Sequence, residues 1–343
     1  MTLPNYTCAC GLSHEVVASR WRCDCGGLLE LPEHELVWKP GGEGSMWRYA
    51  ADIAGGALDW AALSLGEGRT PLVEERPGLF LKLEYVAPTG SFKDRGAVVL
   101  VALARLAGAD RLVADSSGNA GTAVAAYAAR AGIEAEIFVP AGTSEKKLTQ
   151  VRGHGAQVTV VPGTREDTAA AAIERVEEGG AFYASHVYNP FFHEGTKTYA
   201  YELVEQLGRA PGTVVLPAGN GTLVLGAHRG FAELRAAGVI DRMPRVVAVQ
   251  AERCAPLAGR TDFLPTVAEG IAIADPARRE GILRAVDEVV TVTEAEIGAA
   301  RAELARRGLW VEPTGAVAYA AAARARHYEG PVAAPLCGSG LKH

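Results

Sequence analysis

Past about residue 90 the chain repeats one rhythm of apolar and polar positions. A short aliphatic run gives way to a glycine-rich or polar turn, then to a longer stretch whose apolar positions recur at helical spacing. On this reading 111–115 (RLVAD), 134–140 (EAEIFVP), 156–162 (AQVTVVP), 181–185 (AFYAS), 212–217 (GTVVLP), 245–252 (RVVAVQAE) and 331–336 (PVAAPL) predict strands. The predicted helices between them include an alanine-rich one ending near Gly132 and one opened by Thr143 or Ser144. Others run from Thr164 to about Glu178, up to a stop at Gly208, and near 293–307 and 314–326. Strand and helix alternating in this way predict an α/β fold of parallel sheets covered by helices on both faces. Residues 1–35 form a separate zone of composition, and the proline-containing stretch 255–280 follows neither period.

Length and charge narrow the classes. A chain of 343 residues is too long for one small core, so one large α/β unit or two lobes is expected. A net charge of −6 argues against a nucleic-acid binder or a polybasic membrane protein. The longest apolar run near a helix, GAVVLVALA between Arg95 and Arg105, is too short to span a bilayer. No basic stretch precedes an apolar one at the N-terminus, so the expectation is a soluble cytoplasmic protein without a signal peptide.

Four of the six cysteines fall in the first 25 residues, as Cys8-Ala-Cys10 and Cys23-Asp-Cys25, each pair followed by glycine. Two such knuckles suggest one tetrahedral structural zinc, although the one-residue spacing is tighter than usual. A reduced, metal-free ribbon is the other reading, and disulfides fit poorly with a reducing compartment. Four thiolates would leave no open position for catalysis. Cys254 reads as a buried apolar residue. His14, His34, His154, His193 and His228 show no partner pattern and read as surface or helix-end residues.

The nucleotide signatures are missing: no Gly-x-Gly-x-x-Gly follows a strand, and no Gly-Lys pair exists for a phosphate loop. In PTGSFKDRGA (88–97) a turn precedes a helix that Ser91 could cap, which puts Lys93 in the first turn. A helix N-terminus disfavours the ammonium form, and a lysine that can be neutral is what imine chemistry needs. Residues 214–226 read as strand, glycine-rich turn and helix start, so the N–H groups of Gly219, Asn220, Gly221 and Thr222 can converge on an anion. DSSGNAG (115–121) has the same form and adds Asn119 as a side-chain donor.

With these segments in place the chain resembles the fold-type II pyridoxal-phosphate enzymes, and among them the threonine synthases. The resemblance rests on LGEGRTPLV (65–73), LKLEYVAPTGSFKDRG (81–96), SSGNAG (116–121), KKLTQVRGHGAQV (146–158), NPFFHEGTKTYAYE (189–202), PAGNGT (217–222), EPTGA (312–316) and LCGSGLK (336–342). The cysteine zone followed by CGGLLEL looks like the ribbon many threonine synthases carry. The resemblance implies two α/β lobes with the cofactor, pyridoxal 5'-phosphate, between them. The smaller lobe is expected over 93–190, the larger over 36–92 and 191–343, and the ribbon over 1–35, with a homodimer as the expected assembly.

The resemblance further implies that Lys93 is the Schiff-base lysine and proton shuttle, with Phe92 beside it at the cofactor. Gly219–Thr222 would hold the cofactor phosphate, Asn119 the phenolic oxygen, and Cys337 would face the ring nitrogen. Ser116, Ser117 and Gly118 would receive the carboxylate of an amino-acid substrate. A thiol cannot hold that nitrogen protonated as a carboxylate would, so the ring becomes a weaker electron sink, which suits β-elimination or β-replacement.

The sequence departs from the family where threonine synthases bind the phosphate of O-phosphohomoserine. Their Asn-Ser-x-Asn-Pro-x-Arg stretch, aligned on Asn189-Pro190, becomes His186, Val187 and Phe192, and Ala120 stands where a threonine is common. Either the substrate lacks that phosphate or the chain grips it elsewhere, as with Lys146, Lys147 or His186. Cys337 replaces a usual threonine and is familiar in serine and threonine dehydratases. The expected activity is therefore elimination or replacement at the β or γ carbon of an amino acid. A dehydratase or β-replacement enzyme on a non-phosphorylated substrate is the alternative, and a non-catalytic amino-acid sensor a remote one.

Overall fold

The structure, a computed structural model, describes residues 3–324 and 327–342. In chain order it runs β1 (Tyr6–Thr7), β2 (Ser13–His14), β3 (Leu72–Arg76), β4 (Leu79–Lys82), α1 (Lys93–Leu106), β5 (Arg111–Ala114) and α2 (Asn119–Ala131). Then come β6 (Glu134–Pro140), α3 (Glu145–Gly153), β7 (Gln157–Val161), α4 (Arg165–Glu177), β8 (Phe182–Tyr183), α5 (Phe191–Thr196) and α6 (Thr198–Leu207). The last third is β9 (Thr213–Pro217), α7 (Thr222–Ala236), β10 (Arg245–Ala251), α8 (Arg279–Ala285), β11 (Glu288–Val292), α9 (Glu294–Arg306), α10 (Pro313–Arg324) and β12 (Val332–Pro335).

The chain forms two compact units, one of 1–67 with 93–195 and one of 68–92 with 196–343. In the first, four parallel strands run in the order β7-β6-β5-β8. Its helices carry their own stop and start signals. Thr164 caps α4 in a reciprocal box with Asp167, and Gly132 ends α2 at a φ of 68°, a left-handed turn that glycine adopts freely. Ser91, read as a cap for α1, is instead fully buried with no hydrogen-bond partner for its Oγ among the described residues. Residues 36–67, which the sequence groups with the larger lobe, pack here. Met46, Trp47, Ile53, Ala54, Leu58 and Leu63 share one core with Val98–Ala104 of α1. Tyr6, Cys23, Leu29 and Leu31 join the same core, so the ribbon is not a separate body.

The second unit is a six-stranded sheet in the order β11-β10-β9-β12-β4-β3. All pairs are parallel except β3 with β4, a hairpin closed at Gly78 (φ 80°). The interior strands read as unbroken apolar runs because helices cover both faces: β9 is buried at every position. Alternation alone predicts neither the antiparallel edge nor β11. Stretch 255–280 resolves into two three-residue 3-10 turns and the start of α8, too short to show a period. The last two residues of the predicted helix 314–326 lie outside the described residues.

Candidate active site

Open parallel sheets bind ligands beyond the carboxyl ends of their strands, where neighbouring connections leave in opposite directions. In the first unit that point lies between β5 and β8, since β5 pairs with β6 on one side and β8 on the other. The loop after β5 holds Ser116, Ser117 and Gly118, and α2 opens with Asn119 and Ala120. The loop after β8 holds His186 and Val187, and α5 carries Phe192 in its first turn. Sequence-distant candidates thus leave adjacent strand ends. The β5 loop is tight: the Gly118 N–H donates to Ser116 Oγ at 3.4 Å. A Cβ on Gly121 would lie 1.9 Å from the Ser116 carbonyl oxygen, so only glycine fits there. Tyr183 donates to Asp115 Oδ1 at 3.0 Å and holds the entry to this loop from β8.

Lys93 is the first residue of α1 and half-buried. Its Nζ lies 5.6 Å from the ring centroid of Phe192, and the edge of His186 meets the same ring at 5.9 Å. Phe192 reaches this position because Gly96 has no side chain: a Cβ there would sit 2.5 Å from the ring. One turn on, Gly195 lets α5 press against the Arg95 carbonyl, where a Cβ would come within 1.8 Å. Phe191 points the other way and meets Tyr6 edge-on at 5.6 Å. Of the two adjacent phenylalanines, 192 borders the lysine and 191 fills the core. Burial, then the charges of Lys93, Arg165 and His193, holds His186 well below the ordinary histidine range, so it stays a neutral imidazole at neutral pH.

In the second unit the corresponding point lies between β9 and β12, because β9 has β10 on its other side. The turn after β9 carries Gly219, Asn220 and Gly221, and Thr222 opens α7. A Cβ on Gly219 would lie 2.9 Å from the Ile271 backbone, and one on Gly221 2.4 Å from Ile282, with Gly221 at a φ of 73°. Side chains are excluded here, at the N-terminus of a fifteen-residue helix whose first turn has N–H groups without an intrahelical partner. Past β12, Cys337 is buried, and its carbonyl accepts the Phe92 N–H at 3.1 Å. The Glu312 N–H donates to the Gly338 carbonyl at 3.0 Å, so three of the quoted motifs meet at this strand end.

The four ribbon cysteines also come together. Cys8 and Cys25 stand 3.6 Å apart at sulfur, as do Cys10 and Cys23, and all four sulfurs lie within 4.8 Å of one another. Tetrahedral zinc, with Zn–S bonds of about 2.3 Å, spaces its sulfurs about 3.8 Å apart, so the thiols fit the ion. Each knuckle turns on the glycine after its second cysteine, Gly11 (φ 89°) and Gly26 (φ 80°). Gly27 keeps the centre open, since its Cβ would press within 3.0 Å of Cys8 Sγ. His14, read as a surface histidine, reaches this cluster: its Nε2 is 3.1 Å from Cys23 Sγ and its Nδ1 3.9 Å from Asp24. If the thiols held a metal, His14 would stand where an outer partner of a ligand stands. A lone histidine has no spacing signature, and only the fold brings it there. His193, also read as surface or helix-end, is buried.

Each unit is an open α/β sheet with candidate residues at its strand-end switch point, a lysine opening a helix in the first and a glycine-built turn opening a helix in the second. A family described as "Pyridoxal-phosphate dependent enzyme" matches residues 63–338, and the chain belongs to it. Among its relatives, the threonine synthase of Mycobacterium leprae is 36% identical over 277 residues, 76% of this chain and 77% of that one. The threonine synthase of Methanocaldococcus jannaschii is 33% identical over 341 residues, 90% of this chain and 84% of that one. Among solved structures, the T.th. threonine deaminase superposes with a TM-score of 0.68 at 29% identity, covering 79% of this chain and 92% of its own. O-ureido-L-serine synthase does so with 0.69 at 27%, covering 80% and 90%. No helix among the described residues is long and apolar enough to cross a membrane.

Proposed function

We propose that this chain is a threonine synthase-like pyridoxal-phosphate enzyme that eliminates or replaces a group at the β or γ carbon of an amino acid. The observation that carries the reading is Lys93 at the opening of α1, walled by Phe192 and His186. Pyridoxal phosphate, when bound, supplies an electron sink for the substrate's α carbon. Lys93 would hold it covalently and would move protons at the substrate's α and β carbons. The N–H groups of Gly219–Thr222 bind its phosphate with the α7 dipole behind them. Asn119 would bond its phenolic oxygen, Phe92 would lie beside it, and the thiol of Cys337 would face its ring nitrogen. Ser116, Ser117 and Gly118 take the substrate carboxylate.

The substrate's far end meets Phe192, His186, Val187 and Ala120. Phe192 offers no donor, and His186 is held neutral rather than cationic. A buried phosphate needs charged or paired donors, so this wall suits a small or uncharged leaving group. That favours a hydroxy- or otherwise activated amino acid over O-phosphohomoserine. The test is one turnover screen of O-phosphohomoserine, serine, threonine and O-acetylserine with wild type and Lys93→Ala. Turnover of an uncharged substrate, abolished in Lys93→Ala along with the cofactor's bound absorbance, is expected. Robust phosphate release from O-phosphohomoserine overturns the substrate assignment, and turnover by Lys93→Ala overturns the mechanism.

A further inference from the structure

The ribbon touches the substrate-side segment at both of its ends. Tyr6, two residues before Cys8, is fully buried. Its ring meets Phe191 at 5.6 Å, and its hydroxyl accepts a hydrogen bond from Asn189 Nδ2 at 3.4 Å. Trp21, two residues before Cys23, meets Tyr183 edge-on at 5.7 Å and Tyr188 at 5.3 Å. The Arg22 guanidinium lies over Trp21 and Tyr188 at 5.0 and 5.2 Å. His186 and Val187 therefore lie between Tyr183 and Tyr188, both on the Trp21 anchor, and Asn189 and Phe191 on the Tyr6 anchor follow directly. Phe192 follows immediately. Through Tyr183 the Trp21 anchor also reaches Asp115, the residue before Ser116.

Besides the cysteines, the two knuckles are joined among the described residues by the His14–Cys23 contact, by the core that Tyr6 and Cys23 share with Leu29 and Leu31, and by short backbone pairing. The β1–β2 ladder is two pairs long, and one backbone bridge joins Thr7 to Glu30. Trp21 sits in an irregular loop. The close sulfur pairs, Cys8 with Cys25 and Cys10 with Cys23, each take one member from each knuckle. An ion bound by all four locks the Tyr6 knuckle to the Trp21 knuckle. Without it, four thiols offer weak mutual hydrogen bonds and no fixed geometry. Cys10 and Cys25 are exposed, and an open cavity of about 830 Å³ runs beside Cys23 between Trp21 and α4, so solvent reaches the centre.

We propose that a zinc ion on Cys8, Cys10, Cys23 and Cys25 acts through Tyr6 and Trp21 as positioning residues. It fixes segment 183–192, and so sets affinity for the amino acid while leaving the cofactor's hold unchanged. The affinity part rests on the function proposed above; the ordering of the segment does not.

The experiment compares holoenzyme carrying zinc with holoenzyme stripped by a chelator, with metal content measured. Hydrogen–deuterium exchange reads the segment directly. Stripping raises exchange in 183–192 about tenfold while the first turn of α7 is unchanged. With whichever amino acid the enzyme turns over, KM rises about tenfold, while kcat and cofactor absorbance hold. Trp21→Ala, with zinc still bound, reproduces the KM rise, and Trp21→Phe restores the wild-type value. Unchanged exchange in 183–192 on stripping, or a protein that holds no zinc, overturns the proposal. So does a Trp21→Ala enzyme with unaltered KM. Absence of turnover on every amino acid sinks the functional reading alone, because the exchange measurement needs no substrate.

Discussion

Both sheets present candidate residues at the carboxyl ends of neighbouring strands, but they build with different materials. At the β9–β12 point the turn is nearly all backbone: Gly219 and Gly221 leave no room for a Cβ beside Ile271 and Ile282. At the β5–β8 point the surroundings of Lys93 are set by side chains, chiefly Phe192 and His186. On the function proposed above, the backbone turn would take the constant group, whose chemistry does not change with the substrate, and the side-chain wall would meet the variable part, where one replacement alters which molecule fits.

The largest expected effect comes from breaking the cradle. In Gly221→Ala a Cβ enters a left-handed turn and lands 2.4 Å from Ile282, a stiff β-branched side chain. Left-handed strain of ~1 kcal/mol and crowding of ~1–3 kcal/mol both oppose it. The variant should melt several degrees lower and lose bound cofactor on gel filtration. Cofactor retained at wild-type stoichiometry and stability would remove the backbone account of this turn.

A smaller effect is expected at the wall. Gly96→Ala places a Cβ 2.5 Å from the Phe192 ring, which must tilt towards Lys93 or away from it. A loss of ~1–3 kcal/mol is expected in urea melts, together with altered amino-acid affinity. Phe192→Leu in the same chain should recover at least half of that loss, because the two residues share one contact. Additive losses in the double variant would mean that Phe192 is not what Gly96 accommodates.

The contrast also explains what could be read from the chain. Positions where only glycine fits leave a mark in sequence, so the turn at 219–221 and the stops at Gly132 and Gly208 were legible from residue type. The threonine that opens α4 was legible too, because Asp167 stands three residues on and completes its box. Phe191 and Phe192 were not separable. Two consecutive aromatics at a helix start differ by about 100° in direction, and which one meets the lysine depends on how α5 crosses α1. His14 and Cys23 are joined only by folding of the ribbon. Residues 36–67 carry scattered buried side chains and 3-10 turns rather than a period, so nothing local showed that they share a core with α1.

The smallest effect concerns protons at the wall. Burial foremost, with the charges of Lys93, Arg165 and His193, holds His186 well below its ordinary 6.5. In the unfolded chain it returns to that value. As pH falls through it, the unfolded chain takes up a proton that the folded chain refuses, so stability from this group drops with falling pH. His186→Gln removes that uptake. Between about pH 7 and pH 5.5 the variant should lose less stability than wild type, by at most ~1 kcal/mol. Urea midpoints at the two pH values measure it. An equal loss in both proteins would mean that His186 takes up its proton in the fold as readily as in the unfolded chain, and a wall that turns cationic on that pH fall would be one able to accept a phosphorylated substrate.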